Sequence, residues 1–81
     1  MPAVFFLKGT RFFFFSNEGD PREPVHVHVR KDEKLAKFWL FPEVKAVESY
    51  GFSSKELNAL AKIIEARRNE ITEAWNEHFG A

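Results

Sequence analysis

With 81 residues the chain has room for one hydrophobic core, so residues 1–81 are read as a single domain. It contains no cysteine, which excludes disulfides and thiolate metal sites and argues against a small secreted scaffold. Twelve Lys and Arg balance twelve Asp and Glu, and a formal net charge of zero argues against a strongly electrostatic nucleic-acid binder.

Ten Phe and two Trp compensate for the small size, because each fully buried aromatic contributes roughly 1.5–3 kcal/mol. The N-terminus lacks the basic and long apolar regions of a signal peptide, and no apolar run approaches a membrane span. The expected compartment is therefore the cytoplasm.

Ala3–Leu7 is a short apolar run that ends at Lys8-Gly9-Thr10, a hairpin turn. Arg11–Ser16 follows with four consecutive Phe and reads as a second strand. Gly19, Asp20 and two prolines make residues 17–24 a loop, which is acidic through Glu18, Asp20 and Glu23. Val25–Lys31 alternates strictly, with Val25, Val27 and Val29 on one side and His26, His28 and Arg30 on the other. Asp32-Glu33 is a turn, and Lys34–Phe41 returns as a fourth strand that Pro42 stops. Residues 43–49 read as a fifth, edge strand in preference to a loose helical turn.

A single helix is expected over 54–79. Ser53 and Glu56 have capping-box spacing, and Phe52 and Leu57 stand as a hydrophobic staple across it. Gly80 suits the left-handed stop. Leu57, Leu60, Ala61, Ile64, Ile71, Trp75 and Phe79 form one apolar stripe. The fold class is thus α+β: a small antiparallel sheet of four strands, with the fifth over 43–49, followed by one long C-terminal helix packed on one face. At 1.5 Å per residue that helix would be about 39 Å long, so it must overhang the sheet or bend. Arg68 interrupts the stripe; its stem is expected to pack while the guanidinium reaches the sheet edge, in preference to pairing with Glu18 or Glu48.

The charges are unevenly spread. Residues 1–41 carry seven Lys/Arg against five Asp/Glu, and residues 42–81 carry five against seven. The basic surplus at Arg30, Lys31, Lys34 and Lys37 reads first as a solvated hairpin edge that discourages edge pairing.

Three chemistries can be drawn from these residues. His26 and His28, two apart on a strand, share a face and can both reach one cation, with Asp20, Glu18 or Glu23 supplying oxygen to complete a site for a divalent metal such as zinc. Without metal, His26, His28, Glu18 and Arg30 are candidate catalytic residues for cleaving RNA, as general acid, general base and phosphate clamp. No cofactor is expected otherwise. In a third reading, aromatics at 12–15 and 38–41 stand on both faces of the sheet while one helix covers only one, so a second small protein or a second copy covers the other. Base stacking makes RNA an alternative partner on that face. The bland reading of the histidines is that they organise the acidic loop by hydrogen bonds.

Met1-Pro2, the Phe-rich strand with Glu18, Pro24-Val25-His26-Val27-His28-Val29, Ala36-Lys37-Phe38-Trp39-Leu40, Gly51-Phe52-Ser53 and the Trp75–Gly80 ending together resemble a family of small bacterial proteins, a domain of unknown function marked by a Pro-Pro-His-Val-His-Val-type motif. Val25 stands where that pattern has a second proline. Members are often encoded beside a second small domain, as in toxin–antitoxin pairs. The resemblance implies a bacterial, cytoplasmic, partner-associated protein and brings no established activity. The expectation is a protein-interaction module of such a pair; the alternative is a small ribonuclease or metal-assisted hydrolase working from His26 and His28.

Overall fold

Lys8 and Gly9, at φ 50° and 75°, reverse the chain in the two-residue turn that the right-handed twist of paired strands favours. The computed structural model describes residues 3–15 and 24–79. Five strands follow one another across one antiparallel sheet in chain order: β1 (Ala3–Leu7), β2 (Thr10–Phe13), β3 (His26–Lys31), β4 (Lys34–Trp39) and β5 (Lys45–Tyr50). Asp32, at φ 55°, makes the β3–β4 reversal; Asp tolerates that region because its side chain bonds locally.

The fifth strand expected over 43–49 is present, as Lys45–Tyr50. The second strand is shorter than the 11–16 expected, because the chain leaves the ladder after Phe13. Phe14 turns into the core against the Trp75 ring, 5.3 Å away, while Phe15 lies 4.5 Å from the His28 ring. The fourth strand ends at Trp39 rather than at Phe41, although the Leu40 amide still donates to the Val25 carbonyl at 3.2 Å.

The helical region departs from expectation. In place of one helix over 54–79 there are two, α1 (Ser54–Ala66) and α2 (Arg68–Phe79). The joint is Arg67, whose backbone (φ −110°, ψ 19°) leaves the helical region. Its amide is shared between the Ile63 and Ile64 carbonyls at 3.1 Å each, and the Ile71 amide restarts the ladder on the Arg67 carbonyl at 3.0 Å. A straight helix of this length, about 39 Å, would outrun the molecule's longest dimension of 33 Å. Breaking it keeps Leu60 and Ile64 on α1, and Ile71 and Trp75 on α2, buried in one core with Phe12, Val27, Val29 and Phe38.

The helix start is built as its sequence indicates. Ser53 Oγ accepts from the Glu56 amide at 3.1 Å, and Glu56 Oε1 accepts from the Ser53 amide at 2.9 Å. Glu56 Oε2 also receives Lys34 Nζ at 2.9 Å, tying α1 to β4. These bonds, that from the Ser53 backbone first and Lys34 next, lower the Glu56 pKa to about 2. Gly51 leads into this cap at φ 85°, and a Cβ there would meet Lys34 Cγ at 3.0 Å, so both conformation and space select glycine. Arg68 extends its stem as expected: Nη1 donates to the Leu40 carbonyl at 3.4 Å and the guanidinium lies 5.4 Å from the Phe41 ring centre. No described helix is long and apolar enough to cross a membrane.

Candidate functional site: the open face of the sheet

Register decides which side chains meet, because residues directly opposite on neighbouring strands project from the same face. Val27, Val29, Phe12, Ala36 and Phe38 face the helices. The alternate positions therefore form the other face, in three rows across the strands. The first is Phe6, Arg11, Arg30, Leu35 and Tyr50; the second Phe13, His28, Lys37 and Glu48; the third His26, Trp39 and Lys45.

The two histidines differ in their surroundings. His26 is fully buried at the first position of β3, with ring centres of Trp75, His28 and Trp39 at 4.9, 5.2 and 5.4 Å. Its Nδ1 is 3.0 Å from the Pro24 carbonyl oxygen, the geometry of a donated ring N–H. His28 is half-buried and sits between Phe13 and Phe15, at 5.6 and 4.5 Å. One imidazole thus helps to hold the end of the sheet against α2, and the other forms part of the open face.

His28 lines a shallow concavity of about 320 Å³, bounded by Phe13, Phe15, Leu35, Lys37 and Tyr50. Its floor is apolar and its rim is charged. Lys37 Nζ lies 4.8 Å from the Trp39 ring centre, and the Arg11 guanidinium 5.2 Å from that of Phe13. Both are cation–π placements that hold a positive charge flat on the sheet. Arg30 is exposed, its Nε donating to the Asp32 carbonyl at 3.3 Å.

Of the residues singled out in the sequence, His26, His28 and Arg30 share this face, whereas Glu18, Asp20 and Glu23 lie outside the described residues. Among the described residues no group of three or more His, Cys, Asp or Glu is disposed to hold a metal ion. Lys37, Glu48, Tyr50 and Arg11 join the site although none is a candidate site residue from sequence: Lys37 reads there as part of a solvated hairpin edge and Glu48 as an alternative partner of Arg68. The signal for Lys37 was present: Leu35, Lys37 and Trp39 alternate with the buried Ala36, Phe38 and Leu40. For Glu48 there was none, since a register irregularity between Lys37 and Phe38 decides which β5 side chains face outward.

A family model described as a domain of unknown function, DUF4160, matches residues 9–76. The chain belongs to that family. The part shared with DUF4160 runs from the first turn into α2 and includes His26, His28, Arg30, Lys37, Glu48 and Tyr50, while β1 lies before it. No curated protein and no solved structure matched.

Proposed function

We propose that this chain is a protein-interaction module, one member of a two-protein pair of toxin–antitoxin type, and that it receives its partner on the open face of the sheet. The observation that carries the reading is exposed apolar surface on that face: Tyr50 is 73% exposed, Phe6 67%, Leu35 44% and Phe15 38%. Exposed apolar surface of this kind favours association, which removes it from water. A second copy is the poorer occupant. Packing two such faces together would set Arg30, Lys37 and Lys45 of each against the same cations of the other, with Glu48 the one acid in these rows among the described residues. A different protein, carrying negative charge, fits better.

The hydrolase alternative draws on His28 at the concavity, with His26 5.2 Å behind it. Acid–base cleavage by a histidine pair needs both imidazoles to reach the substrate, and His26 is enclosed by Trp39 and Trp75. The binding reading uses the face as it stands.

The test is co-expression with the product of the adjacent gene, followed by size-exclusion chromatography with light scattering. A stoichiometric complex that Phe6→Ser and Tyr50→Ser together abolish, in a chain that still folds, is the expected result. A monomer that never shifts on mixing, or a complex indifferent to both substitutions, would overturn the reading.

A further inference from the structure

We infer that the partner engages this face with an acidic segment that carries one bulky apolar anchor: the anchor enters the concavity between Phe15, His28 and Tyr50, and neighbouring carboxylates lie against Arg30 and Lys37. The inference rests on the protein-interaction reading and specifies its chemistry.

Charge is the first argument. The chain is neutral as a whole, yet the three rows of the open face hold four Lys/Arg and one Glu. Among the described residues, acids gather on the other side of the sheet, with Glu70, Glu73 and Glu77 on α2, which packs on the opposite face. Among the described residues cations are thus in excess on this face, which attracts anions.

The second argument is the state of those cations. Lys37 and Glu48 stand directly opposite each other on β4 and β5, but no ion pair joins them, and the Lys37 ammonium rests on Trp39 instead. A carboxylate arriving from outside can pair with this ammonium without first displacing Glu48. Arg30, exposed at the neighbouring row, offers its guanidinium on the same side, and a guanidinium can grip a carboxylate with two parallel bonds.

The shape of the floor is the third. Phe13 beneath, Phe15 and Leu35 at the sides and Tyr50 at the margin make a cup lined mainly by carbon, and such cups hold the aromatic or aliphatic anchors that dominate protein interfaces. A chain with no net positive charge gains little from counterion release on nucleic acid. An acidic peptide suits the face better than RNA.

The experiment is to pan a phage library of random peptides, each of about twelve residues, against the immobilised full chain, then titrate the enriched peptides in solution. Enriched sequences should place Asp or Glu beside Leu, Phe or Trp. Lys37→Glu and Arg30→Glu should each weaken binding by about tenfold. Phe15→Ala should do at least as much, and Lys62→Glu on the exposed side of α1 should change nothing, with folding of every variant checked by circular dichroism. Enrichment of basic or uncharged peptides, no enrichment, or affinities indifferent to the charge reversals would overturn the inference. So would a fluorescent single-stranded RNA that binds more tightly and is lost in the same variants. If the adjacent gene product forms a complex that Phe6→Ser and Tyr50→Ser abolish but the charge reversals do not, this inference fails while the interaction reading stands.

Discussion

Lys37 and Glu48 face each other across β4 and β5, yet the lysine turns its charge onto the Trp39 ring, 4.8 Å away, and leaves the carboxylate to solvent. An exposed ion pair contributes up to about 1 kcal/mol, and an ammonium over indole gives a comparable amount without immobilising a second long side chain. A double-mutant cycle with Lys37→Met and Glu48→Gln should therefore show a coupling free energy below about 0.3 kcal/mol. Lys37→Met combined with Trp39→Leu should show a larger coupling, about 0.5–1 kcal/mol. Urea unfolding of the four variants and the parent protein measures both. A Lys37–Glu48 coupling near 1 kcal/mol would mean that the ion pair forms in solution after all.

The histidines should separate in a stability measurement. His26→Ala empties a fully enclosed position beside Trp39 and Trp75 and should cost about 2–4 kcal/mol, as truncation of other large buried side chains does. His28→Ala, at a half-buried place on the open face, should cost about 1 kcal/mol or less. Equal costs would show that the two rings share one structural role. The difference matters in practice, because a functional test that uses the His26→Ala variant would report unfolding along with any loss of activity.

Acid should loosen the start of α1 first. Glu56 is held ionised by the Ser53 amide and Lys34, with its folded-state pKa at about 2 against an ordinary 4.5. A depressed carboxylate contributes stability that is fully present above the unfolded-state value and is lost as pH falls through the folded-state value. The Glu56 contribution should thus be complete above about pH 4.5 and decline between there and about pH 2. Glu56→Gln should remove that part of the pH dependence, leaving a shallower plot of unfolding free energy against pH over this window. An unchanged slope would place the acid sensitivity elsewhere.

Much of this architecture is local and could be read locally. The alternation of Val25–Lys31 gives β3 and both of its faces, and Ser53 with Glu56 marks the helix start because a cap involves only neighbours in sequence. The break at Arg67 could not be read this way. No glycine or proline marks it, and what it achieves, Ile64 and Ile71 buried in one core with the sheet, depends on contacts distant in sequence. The acids expected beside the histidines fall outside the described residues, and the charged side chains that line the concavity beside His28 (Lys37 and Glu48) come from β4 and β5. Alternation assigns His26 and His28 to one side of the strand, but it does not show that Trp39 and Trp75 pack round the strand end, where His26 is buried and His28 is not.

The chain-order arrangement of the strands has a consequence for synthesis. Each strand leaving the ribosome finds its partner in the strand made just before it, so the sheet can form progressively. The helices come last. Until they emerge, Phe12, Val27, Val29 and Phe38 have nothing from α1 or α2 over them, and the nascent sheet is sticky on both sides at once. The final third of the chain therefore acts as a cover delivered late, and the interval before its arrival is when this protein most needs a chaperone.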